Sequence, residues 1–189
     1  MTTSLAHATL DSWEAQFAPY DSPTYQAVLQ HITPADVVLD IGAGDLRLTR
    51  RIAKIARRVV AIELQPQLLR RQPPLPANLT VICGDARSVE WPGGITVAVL
   101  LMRHCTHFGL YANRLLAQGC NRLVTNARWG MGVEQVNLAD AVPWREASAG
   151  WYACRCGQVG FIPAPPRHLT AANTERVSEV VHCPACAPE

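Results

Sequence analysis

The sequence is poor in lysine and in charge of either sign. Lys54 is its one lysine, against sixteen arginines, and charged residues make up 17% of the 189. Together with 49% hydrophobic residues, this composition indicates one compact core and at most a small appendage. The net charge of +2 selects no class of partner. The arginine bias is as typical of genome composition or heat adaptation as of nucleic-acid binding.

Long apolar runs are also missing. No stretch approaches the eighteen or more apolar residues of a membrane span, which predicts a protein without a membrane partner. No basic start followed by an apolar run, the pattern of a signal peptide, stands in residues 1–19. Seven cysteines in such a chain favour reduced thiols, and some of them a metal, over disulfides. We therefore expect a cytoplasmic protein.

The segment from Asp36 to Asp45 predicts the start of the fold. Val37–Ile41 is a short apolar run typical of a buried strand, and a Gly-Ala-Gly turn follows it. An amphipathic, arginine-rich stretch then predicts a helix from about Leu46 to Arg58. Strand, glycine turn and helix form the first unit of a doubly wound α/β sheet, where a ligand lies against the turn and the helix N-terminus.

The cationic side of that predicted helix allows two interpretations. A run of charge on one side is usually a solvated face, but this one has no interspersed acids, so a polyanion would relieve its repulsion. The residues on this side are Arg47, Arg50, Arg51, Lys54, Arg57 and Arg58.

Acidic residues recur at the ends of the predicted strands. Asp40 stands two residues before the first glycine of the turn, Glu63 ends the apolar run 59–63, and Asp85 follows the run 79–84. A dinucleotide-binding turn has glycine at a sixth position, where this chain has Arg47. The pattern therefore disfavours an NAD-type oxidoreductase.

This arrangement of Asp40, Gly42 and Gly44 resembles motif I of the class I S-adenosylmethionine (SAM) dependent methyltransferases. The phrase 56–64 is most similar to the rRNA adenine dimethyltransferases, and the resemblance covers roughly residues 30–126. It implies a Rossmann-like methyltransferase domain over residues 1–150 with SAM as the cofactor. Glu63 would accept hydrogen bonds from the ribose, and Asp85 would contact the adenine amine. The implied cofactor-binding set is Asp40, Gly42, Gly44, Glu63 and Asp85.

Two further segments are expected near such a cofactor. Residues 1–33 read as mainly helical with Trp13, Phe17 and Tyr20 as anchors, and Tyr20 or Tyr25 either touches the cofactor or packs a helix on the sheet. After a fourth apolar strand at 95–102, a helix from about Phe108 to Gln118 and a fifth strand at 121–126 complete the parallel part. An antiparallel pair, 133–138 and 150–153, would then close the sheet.

The end of the fourth strand carries Arg103-His-Cys-Thr-His107, the candidate catalytic segment. The adenine N6-methyltransferases have Asn or Asp, a proline-containing pair and an aromatic here, and this sequence departs from that pattern. Imidazole titrates near neutrality, so His104 or His107 is a candidate base for a nucleophile that carries a proton. Arg103 is a candidate for holding an acceptor carboxylate or phosphate. For the histidines, helix capping or packing is the alternative.

Residues 151–189 form a distinct, cysteine-rich appendage. Cys154-Arg-Cys156-Gly is followed by Cys183-Pro-Ala-Cys186, two knuckles that turn four thiolates toward one ion. This resembles a zinc ribbon, and it predicts a structural zinc held by Cys154, Cys156, Cys183 and Cys186. The alternatives are unrelated buried cysteines, an iron–sulfur site, or His182 in place of one thiolate.

These features predict a SAM-dependent methyltransferase with a zinc-ribbon appendage that acts on a macromolecule, with RNA or an RNA-associated protein favoured. Two alternatives stay open. One is a non-catalytic module that binds SAM and docks a partner through the ribbon; the other is a small-molecule methyltransferase. Release of the methyl group, and not SAM binding, separates the first alternative from an enzyme.

Overall fold

A computed structural model describes residues 17–70, 72–129 and 132–187. Its larger sheet has six strands in the order β3-β2-β1-β4-β5-β6. The first five strands in this order are parallel to one another, and β6 pairs antiparallel to β5. Because the chain leaves β1 first to one side and then to the other, a crevice opens at the carboxyl end of β1. The strands are β1 Val37–Ile41, β2 Arg58–Glu63, β3 Leu79–Cys83, β4 Val97–Leu100, β5 Arg122–Thr125 and β6 Glu134–Asn137.

Helices cover both faces of this sheet, which confirms the predicted doubly wound α/β fold. Alternate residues of β1 point to opposite faces: Val38 packs in one core cluster with Val28, and Leu39 packs in the other with Leu115. Asp21 begins the first helix by accepting a hydrogen bond of 2.9 Å from the Thr24 N–H. The helices are α1 Ser22–Leu29, α2 Arg47–Ile52, α3 Pro66–Leu69 and α4 Phe108–Ala117.

The helix predicted from Leu46 to Arg58 is shorter than expected. It covers Arg47–Ile52, and β2 already begins at Arg58. The N–H groups of Arg57 and Arg58 both donate to the carbonyl oxygen of Asp36, at 2.9 and 3.3 Å, which joins them to the start of the sheet. The prediction was wrong here because a periodic apolar pattern does not reveal where the chain turns back into the next strand.

A second, smaller sheet follows in the order β7-β10-β8-β9. The expected pairing of residues 150–153 with the larger sheet was wrong, since this segment pairs with β9 and β10 instead. That pairing brings the two cysteine knuckles together, because Cys154 ends β8 and Cys183 follows β10. The elements are β7 Val142–Pro143, β8 Gly150–Cys154, β9 Val159–Ile162, α5 Ala171–Thr174 and β10 Val177–Val181.

The smaller sheet draws on residues from both sides of the boundary predicted at 150 and 151, because β7 lies before it. Within the described ranges, no helix is long and apolar enough to cross a membrane.

Candidate cofactor site and cysteine cluster

The glycine turn lies over the end of β2. The N–H groups of Gly42 and Ala43 donate to the carbonyl oxygen of Ile62 at 2.9 and 3.0 Å. Gly44 has a φ of +58°, and a Cβ there would lie 2.4 Å from a ring carbon of Phe17. The turn therefore requires glycine both for its backbone conformation and for the close approach of an aromatic ring.

Glu63, at the end of β2, is held by two backbone groups. Its Oε2 accepts a hydrogen bond of 2.7 Å from the Gly44 N–H, and its Oε1 accepts one of 2.8 Å from the Gln65 N–H. The residue is 5% exposed, so these bonds replace water at a buried carboxylate. Each oxygen keeps a further lone pair that can accept from a ligand hydroxyl.

Asp40 lies beneath the turn and is also buried. Its Oδ2 accepts a hydrogen bond of 2.5 Å from the Thr49 hydroxyl in α2. Burial raises the pKa of Asp40 to about 6, against the lowering effect of the Thr49 bond, and the nearby charge of Glu63 raises it further. Asp40 therefore ties strand to helix while it titrates close to neutrality.

Asp85 is bound by an arginine that the sequence reasoning missed. Arg87 donates to both carboxylate oxygens, with Nε and Nη2 at 2.6 to 2.9 Å. This hydrogen bonding, against a raising effect of burial, holds the pKa of Asp85 below its usual value. The signal for Arg87 was present in the sequence, since a cation two residues after a strand-end acid can fold back onto it.

The same arginine reaches the candidate catalytic segment. Nη1 of Arg87 lies 3.2 Å from Nε2 of His107. Because a guanidinium only donates, Nε2 is the acceptor, and the ring proton is then on Nδ1, which lies 3.1 Å from the Thr106 hydroxyl. These two contacts orient the His107 ring at the cavity wall.

One cavity of about 870 Å³ brings these side chains together at the carboxyl ends of β1 to β4. Its size is that of an ordinary cofactor pocket. All eight residues proposed for cofactor binding or catalysis line it. They are Asp40, Gly42, Gly44, Glu63, Asp85, Arg103, His104 and His107.

Aromatic residues from the start of the described chain form another wall of the cavity. Phe17, Tyr20 and Tyr25 all line it. The guanidinium of Arg103 lies 5.1 Å from the centre of the Tyr20 ring, and the Tyr25 hydroxyl accepts a hydrogen bond of 3.2 Å from the Tyr20 N–H. Tyr25 is 6% exposed, so it both packs α1 and borders the cavity. Trp13, the other predicted anchor, lies outside the described residues.

Several cations on the cationic side of α2 have partners within the molecule, which the sequence did not predict. Arg47 forms an ion pair with Asp45. Arg50 donates to the carbonyl oxygens of Pro73 and Pro74 at 2.6 and 3.0 Å, and the Arg51 guanidinium lies over the Tyr25 ring. Three of these cations are therefore used within the molecule.

The four predicted ligand cysteines converge in the smaller sheet. Their sulfur atoms all lie within 4.8 Å of one another, and three pairs are 3.7 to 3.8 Å apart. A tetrahedral zinc with Zn–S bonds of about 2.3 Å places its sulfurs about 3.8 Å apart, so the cluster fits the ion. Among the described residues this cluster comprises cysteines alone, and His182 is not part of it.

Comparison with known proteins agrees with the geometry. A family model described as ribosomal RNA adenine dimethylase matches residues 20–123, more than half of the chain. A probable ribosomal RNA small subunit methyltransferase A of Methanosarcina barkeri is 48% identical over 62 residues, 31% of this chain and 22% of that protein. A dimethyladenosine transferase of Saccharomyces cerevisiae is 37% identical over 67 residues, 32% of this chain and 21% of that protein. The chain thus spans about a fifth of these relatives.

A solved structure of an RNA methyltransferase from Salinibacter ruber, in complex with S-adenosyl-L-homocysteine, is also similar. It shares 22% identity with a TM-score of 0.47, and the match covers 57% of this chain and 76% of that one.

Proposed function

The chain belongs to the ribosomal RNA adenine dimethylase family, and on that premise we propose that it is a SAM-dependent methyltransferase that acts on RNA. One observation carries the proposal. A single cavity collects the glycine turn and the three strand-end acids Asp40, Glu63 and Asp85 on one side, and the segment 103–107 on the other. A cofactor bound to the first set would present its reactive end to the second.

On the cofactor side, each residue has a separate role. Glu63 accepts hydrogen bonds from the ribose hydroxyls, using the lone pairs that its bonds to the Gly44 and Gln65 N–H groups leave free. Asp85 accepts from the adenine amine, sharing its oxygens with Arg87. Gly42 and Gly44 give the turn its positive-φ conformation beside the cofactor. Asp40 acts from beneath, through Thr49, by holding the turn against α2.

Methyl transfer is an in-line displacement, so the acceptor side mainly has to position the nucleophile. When bound, SAM supplies a methyl group that leaves its sulfur as the nucleophile's lone pair forms the new bond. A nucleophile that carries a proton loses it to a base, and His104 or His107 at the cavity wall takes this role. His107 can accept that proton on Nε2 only after Arg87 moves away. Arg103 binds a phosphate of the acceptor.

RNA is the favoured acceptor because the matched family model and the Methanosarcina barkeri relative are named for ribosomal RNA. Segment 101–107 reads Leu-Met-Arg-His-Cys-Thr-His where the family's adenine-binding motif would stand. This departure is what favours the second candidate, a non-catalytic module that binds SAM and docks a partner.

For the appendage we propose a structural zinc bound by Cys154, Cys156, Cys183 and Cys186. Four protein ligands leave no open position for catalysis. A methyltransferase domain over residues 1–150 and a zinc-ribbon-like module over 151–189 remain the proposed division, with β7 contributed to the module from before the boundary. A thiolate site of this kind suits a reducing compartment, which supports a cytoplasmic location.

The test of this function is to incubate the protein with methyl-labelled SAM and a fractionated cell extract. We expect label in nuclease-sensitive material. Label in protease-sensitive material would instead identify an RNA-associated protein as the acceptor, and label in the small-molecule fraction would contradict a macromolecular acceptor. SAM binding without any label transfer would favour the docking module.

A further inference from the structure

The first cysteine knuckle packs directly on the start of α4. A Cβ added at Gly109 would lie 3.1 Å from Cα of Cys156 and 3.4 Å from the carbonyl oxygen of Arg155. A Cβ added at Gly157 would lie 3.1 Å from Cβ of Phe108. Backbone therefore faces backbone at Gly109, and the two elements meet this closely because each has a glycine at the contact.

The start of α4 is also where the candidate catalytic segment ends. His107 immediately precedes Phe108, the first residue of the helix, and Phe108 is 1% exposed within the larger core. The N–H of Tyr111, one turn into α4, donates to the carbonyl oxygen of His107 at 3.1 Å. The position of the segment 103–107 at the cavity thus depends on the first turn of α4.

A buried arginine links the same elements from another side. Arg128, shortly after β5, donates to Glu134 of β6 at 2.8 and 2.9 Å and to Glu179 of β10 at 2.5 and 2.7 Å. Its guanidinium carbon lies 5.7 Å from the centre of the Phe108 ring. The Arg128 side chain is 1% exposed, so both ion pairs are largely shielded from water on the arginine's side. Arg128 therefore joins the larger sheet, the smaller sheet and the start of α4.

We propose that the Cys154-Arg-Cys156-Gly157 knuckle and Arg128 position the segment 103–107 for methyl transfer, an inference that rests on the proposed function. The knuckle, closed around its metal, supports the first turn of α4, and Arg128 fixes the small sheet against the large one. Neither touches the cofactor side of the cavity. Arg128 is thus a positioning residue, and its loss should impair transfer while SAM still binds.

The sharpest variant is Gly109→Ala, with Asn113→Ala as its matched control. Both substitutions raise the helix propensity of α4, so neither should weaken the helix itself. Asn113 is exposed, whereas a methyl group at Gly109 would lie 3.1 Å from Cα of Cys156, so that the knuckle must shift by a few tenths of an ångström to admit it. Hydrogen exchange of the zinc-loaded protein should be at least tenfold faster over residues 103–112 in Gly109→Ala and unchanged in Asn113→Ala. SAM affinity by calorimetry should stay within threefold in both.

The second arm tests Arg128 by replacing it with Met or Lys, with Arg145→Met as the control because that side chain is 85% exposed. With methyl-labelled SAM and total ribosomal RNA, kcat should fall at least tenfold in Arg128→Met. The kcat of Arg128→Lys, which keeps one ion pair, should lie between those of Arg128→Met and the wild type. KM for SAM should change less than threefold. Should Arg128→Met fail to fold, Glu179→Gln, which retains an acceptor oxygen, tests the same link.

Two outcomes would overturn the proposal. One is unchanged exchange over residues 103–112 in Gly109→Ala and in Arg128→Met or its replacement. The other is a loss of SAM affinity in step with the loss of transfer, which would make the contacts purely structural. If the wild type transfers no methyl group to any fraction, the proposed function fails, and the exchange measurements alone still decide whether the knuckle and Arg128 position the segment.

Discussion

The backbone N–H of Gly44 donates a hydrogen bond of 2.7 Å to Oε2 of Glu63, nineteen residues later. This bond joins the turn after β1 to the end of β2, the two places that a nucleotide-like cofactor would contact. The acid thus has two tasks, since it holds the turn in place and keeps lone pairs for a ligand.

Glu63→Ala should weaken SAM binding by roughly 1–3 kcal/mol, because the ribose hydroxyls lose their acceptor and two backbone N–H groups lose theirs. Calorimetry measures the effect, with Glu90→Ala, an exposed acid, as the control.

Wild-type protein should bind NAD at least about tenfold more weakly than SAM, a difference of about 1.4 kcal/mol. Equal affinities for the two cofactors would sink the assignment.

Asp40 should make stability depend on pH. Its pKa is raised to about 6 from 3.8, so between these values the folded protein holds a proton that the unfolded chain releases. The free energy of unfolding should therefore fall as pH rises from 4 to 6, by up to about 3 kcal/mol, and the loss should be complete above pH 7.

The measurement is urea unfolding at a series of pH values for the wild type and Asp40→Asn, which still accepts from Thr49 but does not titrate. Subtracting the unfolding free energies of Asp40→Asn from those of the wild type cancels the contribution of other titrating groups. One of these is Asp36, whose lowered pKa makes stability change with pH in the opposite direction. A difference that does not vary with pH would contradict the account.

His104→Ala or His107→Ala should lower turnover by at least about tenfold, because a positioned base contributes that much or more. SAM affinity should stay nearly unchanged. In His107→Ala, Arg87 loses its contact with the ring but keeps its hydrogen bonds to Asp85. His168→Ala, an exposed histidine in the small module, is the control for both. Full activity in the two variants would mean that the segment is structural and that the acceptor is held elsewhere.

The cysteine cluster should hold about one zinc per chain by elemental analysis. The core around it is small, with Cys154, Val180 and Cys183 buried, so metal binding should supply much of the folding free energy of the module. Cys183→Ser or strong chelation should unfold the smaller sheet while the larger sheet still binds SAM. Cys83→Ser, at an exposed cysteine outside the cluster, should keep the zinc. Metal-free protein with an ordered small sheet would refute the site.

Much of the fold could be predicted because parallel buried strands leave a strong pattern. Residues 37–39 and 59–62 are continuous apolar segments, and each is followed directly by an acid, Asp40 or Glu63, at or near the end of the strand. The helix after the turn was overestimated because its apolar period continues into the start of β2. Residues 150–153 were assigned to the wrong sheet because the sequence of a short strand does not specify which strand it pairs with.

The cofactor side of the site was predictable, since its residues follow their strands directly in sequence. Arg128 was not, because its partners lie far away in the chain. For Arg87 the bonds to Asp85 are local, and only its contact with His107, twenty residues later, has no signal in the sequence. Arg128 lies 51 residues from Glu179, and the two meet only when the smaller sheet folds against the larger one. Nothing in the local sequence around Arg128 distinguishes it from the other fifteen arginines.

The proposed activity is transfer of a methyl group from SAM bound in the cavity, and not SAM binding alone. The decisive measurement is a single-turnover experiment with zinc-loaded protein in excess over methyl-labelled SAM and total ribosomal RNA as the acceptor. S-adenosylhomocysteine should form at the same rate and in the same amount as a labelled nucleoside released on nuclease digestion. Tight SAM binding with no S-adenosylhomocysteine above the protein-free background would contradict the account and leave a binding module in its place.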